Sequence, residues 1–334
     1  MEKKKQLIWQ IPFLICLIVG TVIIIRSNRN APYQHNQGFI FGTVYNITYQ
    51  YSKDLSREIV DSLNSVDASL SPFNDASIIS QVNNNMNVKA DRMFHDVFLM
   101  AMNVSKATDG AFDITVAPLV NAWGFGFRKG KNVTQATIDS LKQFVGYDKV
   151  LLYGDRITKQ DPRTMLDCSA IAKGYGCDVV ARLLSSKGID NYMVEIGGEV
   201  VAKGISDRQR PWRIGVAKPT DDTLNVSNDF QTVLELKDKC LATSGNYRNF
   251  YYKDGRKYAH TIDPKTGYPV QHSLLSATVV APTCAEADAY ATSFMVMGLE
   301  KTKAFLRRNP QLKAYLIYSD QQGNYKSFGC LGDE

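Results

Sequence analysis

The chain has 334 residues, 44% of them hydrophobic, 22% charged and 10% aromatic, an ordinary globular composition that excludes disorder and low complexity. Of the formal net charge of +6, the first thirty residues hold +4 (Lys3, Lys4, Lys5, Arg26 and Arg29 against Glu2), which leaves +2 on the body. That body contains no basic run, so a nucleic-acid partner, which needs a concentrated basic face, is excluded.

The basic start precedes an apolar run over residues 11–25, interrupted by Pro12, Gly20 and Thr21. The pattern predicts a signal segment or a membrane anchor over residues 1–30, with the basic end in the cytoplasm. The run is short for a full span, although Leu7 to Trp9 extend it. No small-x-small cleavage site follows, and Cys16 sits mid-run behind the bulky Ile15, unlike a lipidation site. An uncleaved anchor in the cytoplasmic (inner) membrane is therefore expected, with residues 31–334 on the extracytoplasmic, periplasmic side as one further domain. The five other cysteines (Cys168, Cys177, Cys240, Cys284 and Cys330) form no C-x-x-C and no zinc spacing, and are read as buried apolar thiols.

Along the body, Phe39 to Tyr51 alternates like one strand, and Leu55, Ile59, Leu63 and Val66 have helical spacing up to Leu70. Further helices are expected over Asp96 to Thr108, closed by Gly110, and over Thr137 to Val145. The clearest helix opens near Ala170, where Ile171, Tyr175, Val179 and Leu183 recur at i, i+4, and Gly188 is its stop. Strand-like segments follow at Tyr192 to Ile196, Trp212 to Val216, Gln231 to Leu236, Tyr247 to Tyr252, Tyr258 to Ile262 and Leu274 to Val280. Thr283 and Glu286 form a capping-box pattern before an alanine-rich helix that Gly298 interrupts. Leu299 to Asn309 continues as a second helix, stopped by Pro310, and Ala314 to Ser319 is a last strand. Strands and helices mix without strict βαβ alternation, which predicts an α+β fold.

Four places carry candidate chemistry. Asp288 and Thr292 stand four apart on the alanine-rich helix, so a carboxylate and a hydroxyl share one face of a core-like element. A buried carboxylate needs a partner. A hard divalent cation such as Mg²⁺ would supply one, as would a neighbouring backbone group or Arg, with Thr292 bonded to its own i−4 carbonyl. Asp167 followed by Ala170-Ile171-Ala172-Lys173-Gly174 at a helix start suits a phosphate, since terminal amides and a lysine favour anions. An ordinary packed helix start reads equally well, and the spacing is not that of a P-loop. His260, in a strand running into the Asp263-Pro264-Lys265-Thr266-Gly267 turn, is the best placed of four histidines, against the commoner structural role of a lone histidine. Aromatic and glycine residues near Asp113 (Ala111-Phe112-Asp113, then Trp123-Gly124-Phe125-Gly126) suit a planar ring, or else a loop that covers the core.

The order of these blocks resembles the FAD:protein FMN transferase family (ApbE type) from about Gly38 to Ser319. The matching blocks are Phe41-Gly42-Thr43, Ser71-Pro72-Phe73-Asn74 with Asn83, Asp109 to Asp113, Asp167 to Tyr175 with Asp178, and Gly197-Gly198-Glu199. Thr243 to Arg248, His260-x-Ile262-Asp263-Pro264 and Ala287-Asp288-Ala289 with Thr292 complete them. Phe41 departs from the methionine usual in that family. The resemblance implies a single large mixed α/β domain of the T-fold-like kind. It also implies Mg²⁺-dependent transfer of FMN from FAD to a Thr or Ser hydroxyl of an acceptor redox protein, with release of AMP. A pyrophosphatase giving free FMN and AMP, and a non-catalytic FAD carrier, are the alternatives. Carried over residue by residue, the resemblance makes Ala170 (through its carbonyl), Asp288 and Thr292 the metal ligands. Phe41, Phe73, Asn74, Ala111, Phe112, Asp113, Asp167, Lys173, His260 and Ile262 become contacts to FAD, and His260 also the general base.

Overall fold

The computed structural model describes residues 12–21, 31–128, 133–217, 230–246, 250–253 and 256–329. Eight antiparallel strands form its main sheet in the order β1-β2-β5-β6-β9-β12-β13-β14. They are β1 Tyr33–Ile40, β2 Thr43–Gln50, β5 Tyr192–Ile196, β6 Glu199–Lys203, β9 Lys239–Gly245, β12 Leu274–Ala281, β13 Lys313–Ser319 and β14 Tyr325–Phe328. Two helices lie across the sheet: α7 (Ala172–Ser186) packs on β5 and β6, and α8 (Cys284–Met297) on β9 and β12. α2 (Ser56–Leu70) covers α7, and α4 (Arg92–Ala107) covers α8. Helices over an antiparallel sheet make the fold α+β, as the pattern predicts.

The apolar spacing is used as expected. Ile59, Leu63 and Val66 of α2 are buried; the first two, with Val180 and Leu184 of α7 and Val194 and Ile196 of β5, close one part of the core, and Val66 packs in the neighbouring part. The alanines of α8 are fully buried, and their small side chains bring the helix close to both the sheet and α7. Thr283 caps α8, its Oγ1 accepting from the Glu286 amide at 3.2 Å while the hydroxyl donates to Glu286 Oε2 at 3.2 Å. Gly298 (φ 74°) separates α8 from α9 (Leu299–Arg308).

Several expectations shift. The stretch Phe39 to Tyr51 is a hairpin, not one strand: Phe41 and Gly42 turn the chain at φ 51° and 73°, the left-handed pair that a two-residue hairpin loop demands. Tyr258 to Ile262 is a strand only as far as Ala259, because β11 (Arg256–Ala259) ends where its partner β10 (Phe250–Lys253) does, so His260 lies in the bend beyond it. The expected strand from Tyr247 is described only over β10, since residues 247–249 lie outside the described part. The helix near Ala170 starts two residues later, and the helix expected at Asp96 starts at Arg92, where Asp91 accepts from the Phe94 amide at 2.7 Å. β6, β9 and β14 join the sheet unannounced, so the strand expected from Ala314 to Ser319 is followed by one more, paired antiparallel to it. The cysteines among the described residues are free thiols, and Cys168, Cys177 and Cys284 are buried. Cys330 lies outside the described residues.

Of the expected anchor, residues 12–21 are helical, and the remainder of 1–30 lies outside the described residues. Among the described residues no helix is long and apolar enough to cross a membrane.

Candidate active site

The site is built where α7 and α8 cross. A Cβ on Gly174 would fall on the Cys284 carbonyl oxygen and lie 2.8 Å from Ala285 Cα, so only glycine lets the two helix starts meet. Each helix then caps the other. Asp178, on α7, accepts from the Cys284 and Ala285 amides at 2.9 and 3.0 Å. Asp288, on α8, accepts from the Gly174 amide at 3.1 Å. Both carboxylates meet otherwise unpaired amides at a helix start, where the dipole also favours negative charge. Burial nevertheless pushes the Asp178 carboxyl up to about 6, against the pull of those two amides.

Ala170 lies just outside α7, before its N-cap Ile171, and its carbonyl meets no amide donor among the described residues, the Gly174 amide being taken by Asp288. Asp288 Oδ2 takes the amide, and its other oxygen makes no hydrogen bond among the described residues. One turn along α8, Thr292 Oγ1 lies 3.1 Å from Ser244 Oγ of β9.

Lys173 enters this group from α7. Its Nζ lies 2.8 Å from Glu199 Oε1 and 3.9 Å from Asp288 Oδ2. Glu199 is 1% exposed and Asp288 2%, whereas 28% of the Lys173 side chain is exposed, so the ammonium is the face that a ligand meets. Burial works against the lysine's charge, but Asp288 and Glu199 outweigh it and raise its pKa. Burial raises Asp288 too, against the pull of Lys173 and the Gly174 amide. Glu199 is pushed up to about 7 by burial, with Lys173 opposing and the Asp288 charge adding to the rise. Its Oε2 is buried with no hydrogen-bond partner among the described residues.

The other predicted residues fall into three places. Phe41 reaches from the β1–β2 turn onto α7, its Cε2 2.8 Å from where a Cβ of Gly176 would stand. Asp167 follows Leu166, whose amide and carbonyl are both held by the buried Asn83 (2.6 and 2.8 Å). Its own amide donates to the Ile114 carbonyl at 2.7 Å, which ties it to the 111–113 loop. In that loop Ala111, Phe112 and Asp113 are all buried, and Asp113 Oδ1 is taken by the Thr115 amide (2.7 Å) and hydroxyl (2.6 Å). The Asp109–Lys265 ion pair joins this loop to the 263–267 turn. Beside it, His260 meets Phe125 edge to face at 6.5 Å, and Ile262 is buried against Leu119 and Ile138. Phe73 and Asn74 stand apart from both groups. Phe73, 67% exposed, meets Phe127 edge to face, and Asn74 donates to Asp67.

Glu199 and Ser244 are the members of the cluster that the sequence reading left without a role. The signal for Glu199 was there, an acid opening a strand (Val200-Val201-Ala202) that is otherwise apolar. What the residues can hold is set by their donors. Asp288 carboxylate, Thr292 hydroxyl and the Ala170 carbonyl are all oxygens, the kind a hard divalent cation takes. The set has only one carboxylate, and among the described residues no group of three or more His, Cys, Asp or Glu is placed to hold a metal.

A model of the ApbE family matches residues 41–316. The FAD:protein FMN transferase of Vibrio cholerae is 36% identical, over 92% of this chain and 93% of its own length. That of Escherichia coli K12 is also 36% identical, over 80% and 77%. Among solved structures, the flavin transferase ApbE from Vibrio cholerae superposes with a TM-score of 0.81 at 35% identity, covering 90% of this chain and 98% of that one. The apo flavinyl transferase ApbE from Pseudomonas stutzeri gives 0.79 at 30% identity, covering 90% and 95%. Fold and sequence together thus define a flavin transferase. The chain belongs to the ApbE family.

Proposed function

We propose that this enzyme transfers FMN from FAD to a Thr or Ser hydroxyl of an acceptor redox protein as a phosphoester, releasing AMP, and that it requires Mg²⁺. The observation that carries the reading is the oxygen cluster at the α7–α8 crossing, with a carbonyl just before α7 that meets no amide donor among the described residues and a buried carboxylate not fully used by the protein. Ala170, Asp288 and Thr292 would hold the cation. When bound, Mg²⁺ neutralises diphosphate charge and stabilises the leaving group.

The chain's own residues do the rest. The Lys173 ammonium, partly exposed beside Asp288, draws the diphosphate to the start of α7, aided by the amides there. Phe41 on α7 and Phe73 at the surface offer ring faces to the flavin, with Asn74 and Asp167 as polar contacts. Phe112 and Ile262 are buried, and Asp113 is engaged by Thr115, so these and Ala111 meet FAD through backbone atoms and by shaping the loop. His260 accepts the proton of the acceptor hydroxyl, a task suited to imidazole near neutral pH. The hydroxyl oxygen bonds to the FMN phosphorus, the phosphoanhydride bond to AMP breaks, and AMP leaves.

We also propose that residues 1–30 anchor the enzyme in the cytoplasmic membrane with its body outside the cytoplasm, on the strength of the basic start and the apolar run. Alkali-resistant membrane retention supports the anchor, and release by alkali refutes it.

The test of function is the mass of an acceptor domain after incubation with the enzyme, FAD and Mg²⁺. Covalently bound FMN on the acceptor, with AMP released, is expected. Free FMN without acceptor labelling would make the enzyme a pyrophosphatase, and unchanged FAD would make it a carrier.

A further inference from the structure

Glu199 pairs with Ile196 at the start of β6, in the interior of the sheet beneath α7, and its carboxylate reaches Lys173 from the sheet. Its position is costly. Both oxygens are taken from water, one is met by Lys173, and the other meets no donor among the described residues. An unsatisfied buried oxygen is unfavourable, and packing alone would be served better by an apolar side chain beside Val200 and Val201. What Glu199 does have is the lysine. Nζ sits 2.8 Å from Glu199 and 3.9 Å from Asp288, so the ammonium is hydrogen-bonded to the first carboxylate and only near the second.

Resting on the metal reading above, we propose that Glu199 is a positioning residue that holds the Lys173 ammonium to itself and so keeps Asp288 open to the divalent cation. With both carboxylates ionised, the two of them and one ammonium give the cluster a net charge of −1, which favours a cation. If the charge of Glu199 is removed, the ammonium has one carboxylate left to pair with. A charge-assisted bond to Asp288 is then stronger than one to a neutral amide oxygen, and Lys173 closes on Oδ2 of the carboxylate that the cation needs, neutralising it. The cluster becomes neutral, and the divalent ion must displace an ion pair.

The test is Mg²⁺ binding by the purified full chain without FAD, followed by titration calorimetry and by the shift in melting temperature. Wild type is expected to bind Mg²⁺ and Asp288→Ala to lose it; a wild type indistinguishable from Asp288→Ala would overturn the metal reading itself. With that reading intact, Glu199→Gln should bind Mg²⁺ at least about tenfold more weakly, as is usual when an outer-shell partner is lost. The double variant Glu199→Gln with Lys173→Met should return to within about threefold of wild type, since it restores the −1 charge and removes the competing ammonium. Glu199→Gln binding as wild type does, or a double variant no better than Glu199→Gln, would overturn the proposal. Should Glu199→Gln fail to fold, Lys173→Met alone decides. It should bind Mg²⁺ more tightly than wild type, and unchanged binding refutes the competition.

Discussion

Asp113 and Asp288 are both buried carboxylates in blocks shared with flavin transferases, yet the protein treats them differently. Asp113, 7% exposed, has one oxygen held by the amide and hydroxyl of Thr115, two residues away, and the Tyr147 backbone also donates to its carboxylate. Thr115 in turn accepts from the Gly146 amide at 2.7 Å, so the acid locks a loop. Asp288, 2% exposed, gets one amide from another helix and a lysine at 3.9 Å. A carboxylate satisfied by the loops around it is structural. One met from a distance, with an oxygen to spare, has capacity left for a ligand.

That contrast can be broken by substitution. The largest effect is expected from Asp288→Ala, which should lower Mg²⁺-dependent FAD cleavage by more than about 100-fold, beyond the loss usual for an outer-shell partner. Steady-state turnover by the folded variant is the measurement, and near wild-type activity would erase the distinction from Asp113. Next comes Gly174→Ala, whose methyl meets backbone of α8 that cannot give way. Destabilisation of about 3 kcal/mol in urea unfolding is expected, at the upper end of overpacking costs. Asp178→Asn should cost about 1–2 kcal/mol as a weakened cap.

Asp178→Asn should also change the pH profile. The folded protein raises this carboxyl from 3.8 to about 6, so the native state binds the proton more tightly than the unfolded chain does. The stability linked to that proton is fully present below about pH 4 and is lost as pH rises through about 6. Arg182 and Glu286 are the charges facing the group. Wild type should therefore gain stability relative to Asp178→Asn as pH falls from 7 to 4, and parallel profiles would contradict the raised pKa. Asp113→Ala should cost about 1–2 kcal/mol, since the loop loses the hydrogen bonds to that carboxylate, while its Mg²⁺-induced melting shift stays as in wild type. The smallest effect belongs to Asp109→Ala, which breaks an exposed, solvent-screened ion pair and should leave the urea midpoint nearly where it is in wild type.

What could be read beforehand was what depends on near neighbours. The Thr283 cap, the Gly298 break and the buried stripe of α2 are all written within a few residues of where they act. The turn at Phe41-Gly42 was hidden because an aromatic residue rarely takes a left-handed conformation, and so two strands read as one. β6 and β9 were hidden because Val200-Val201-Ala202 and Cys240-Leu241-Ala242 are short runs buried in a sheet interior, with no alternation to mark them. At the site, Asp288 and Lys173 were visible in the helix patterns, and their roles through the family resemblance. Their pairing with Glu199 was not, because that acid arrives from another strand. Nor was the bond from the Gly174 amide to Asp288, which depends on a helix that begins more than a hundred residues later.

The mutual capping of α7 and α8 bears on how the centre meets a cation. Neither helix can rotate or slide without stripping the other's first amides of their acceptors, so the geometry of the oxygen donors is fixed when the chain folds. The entropy of arranging them is lost once, during folding, so on the proposed function an arriving ion would find a rigid, prearranged receptor. Adaptability toward acceptors of different shape would then reside outside the clamp, at residues such as His260.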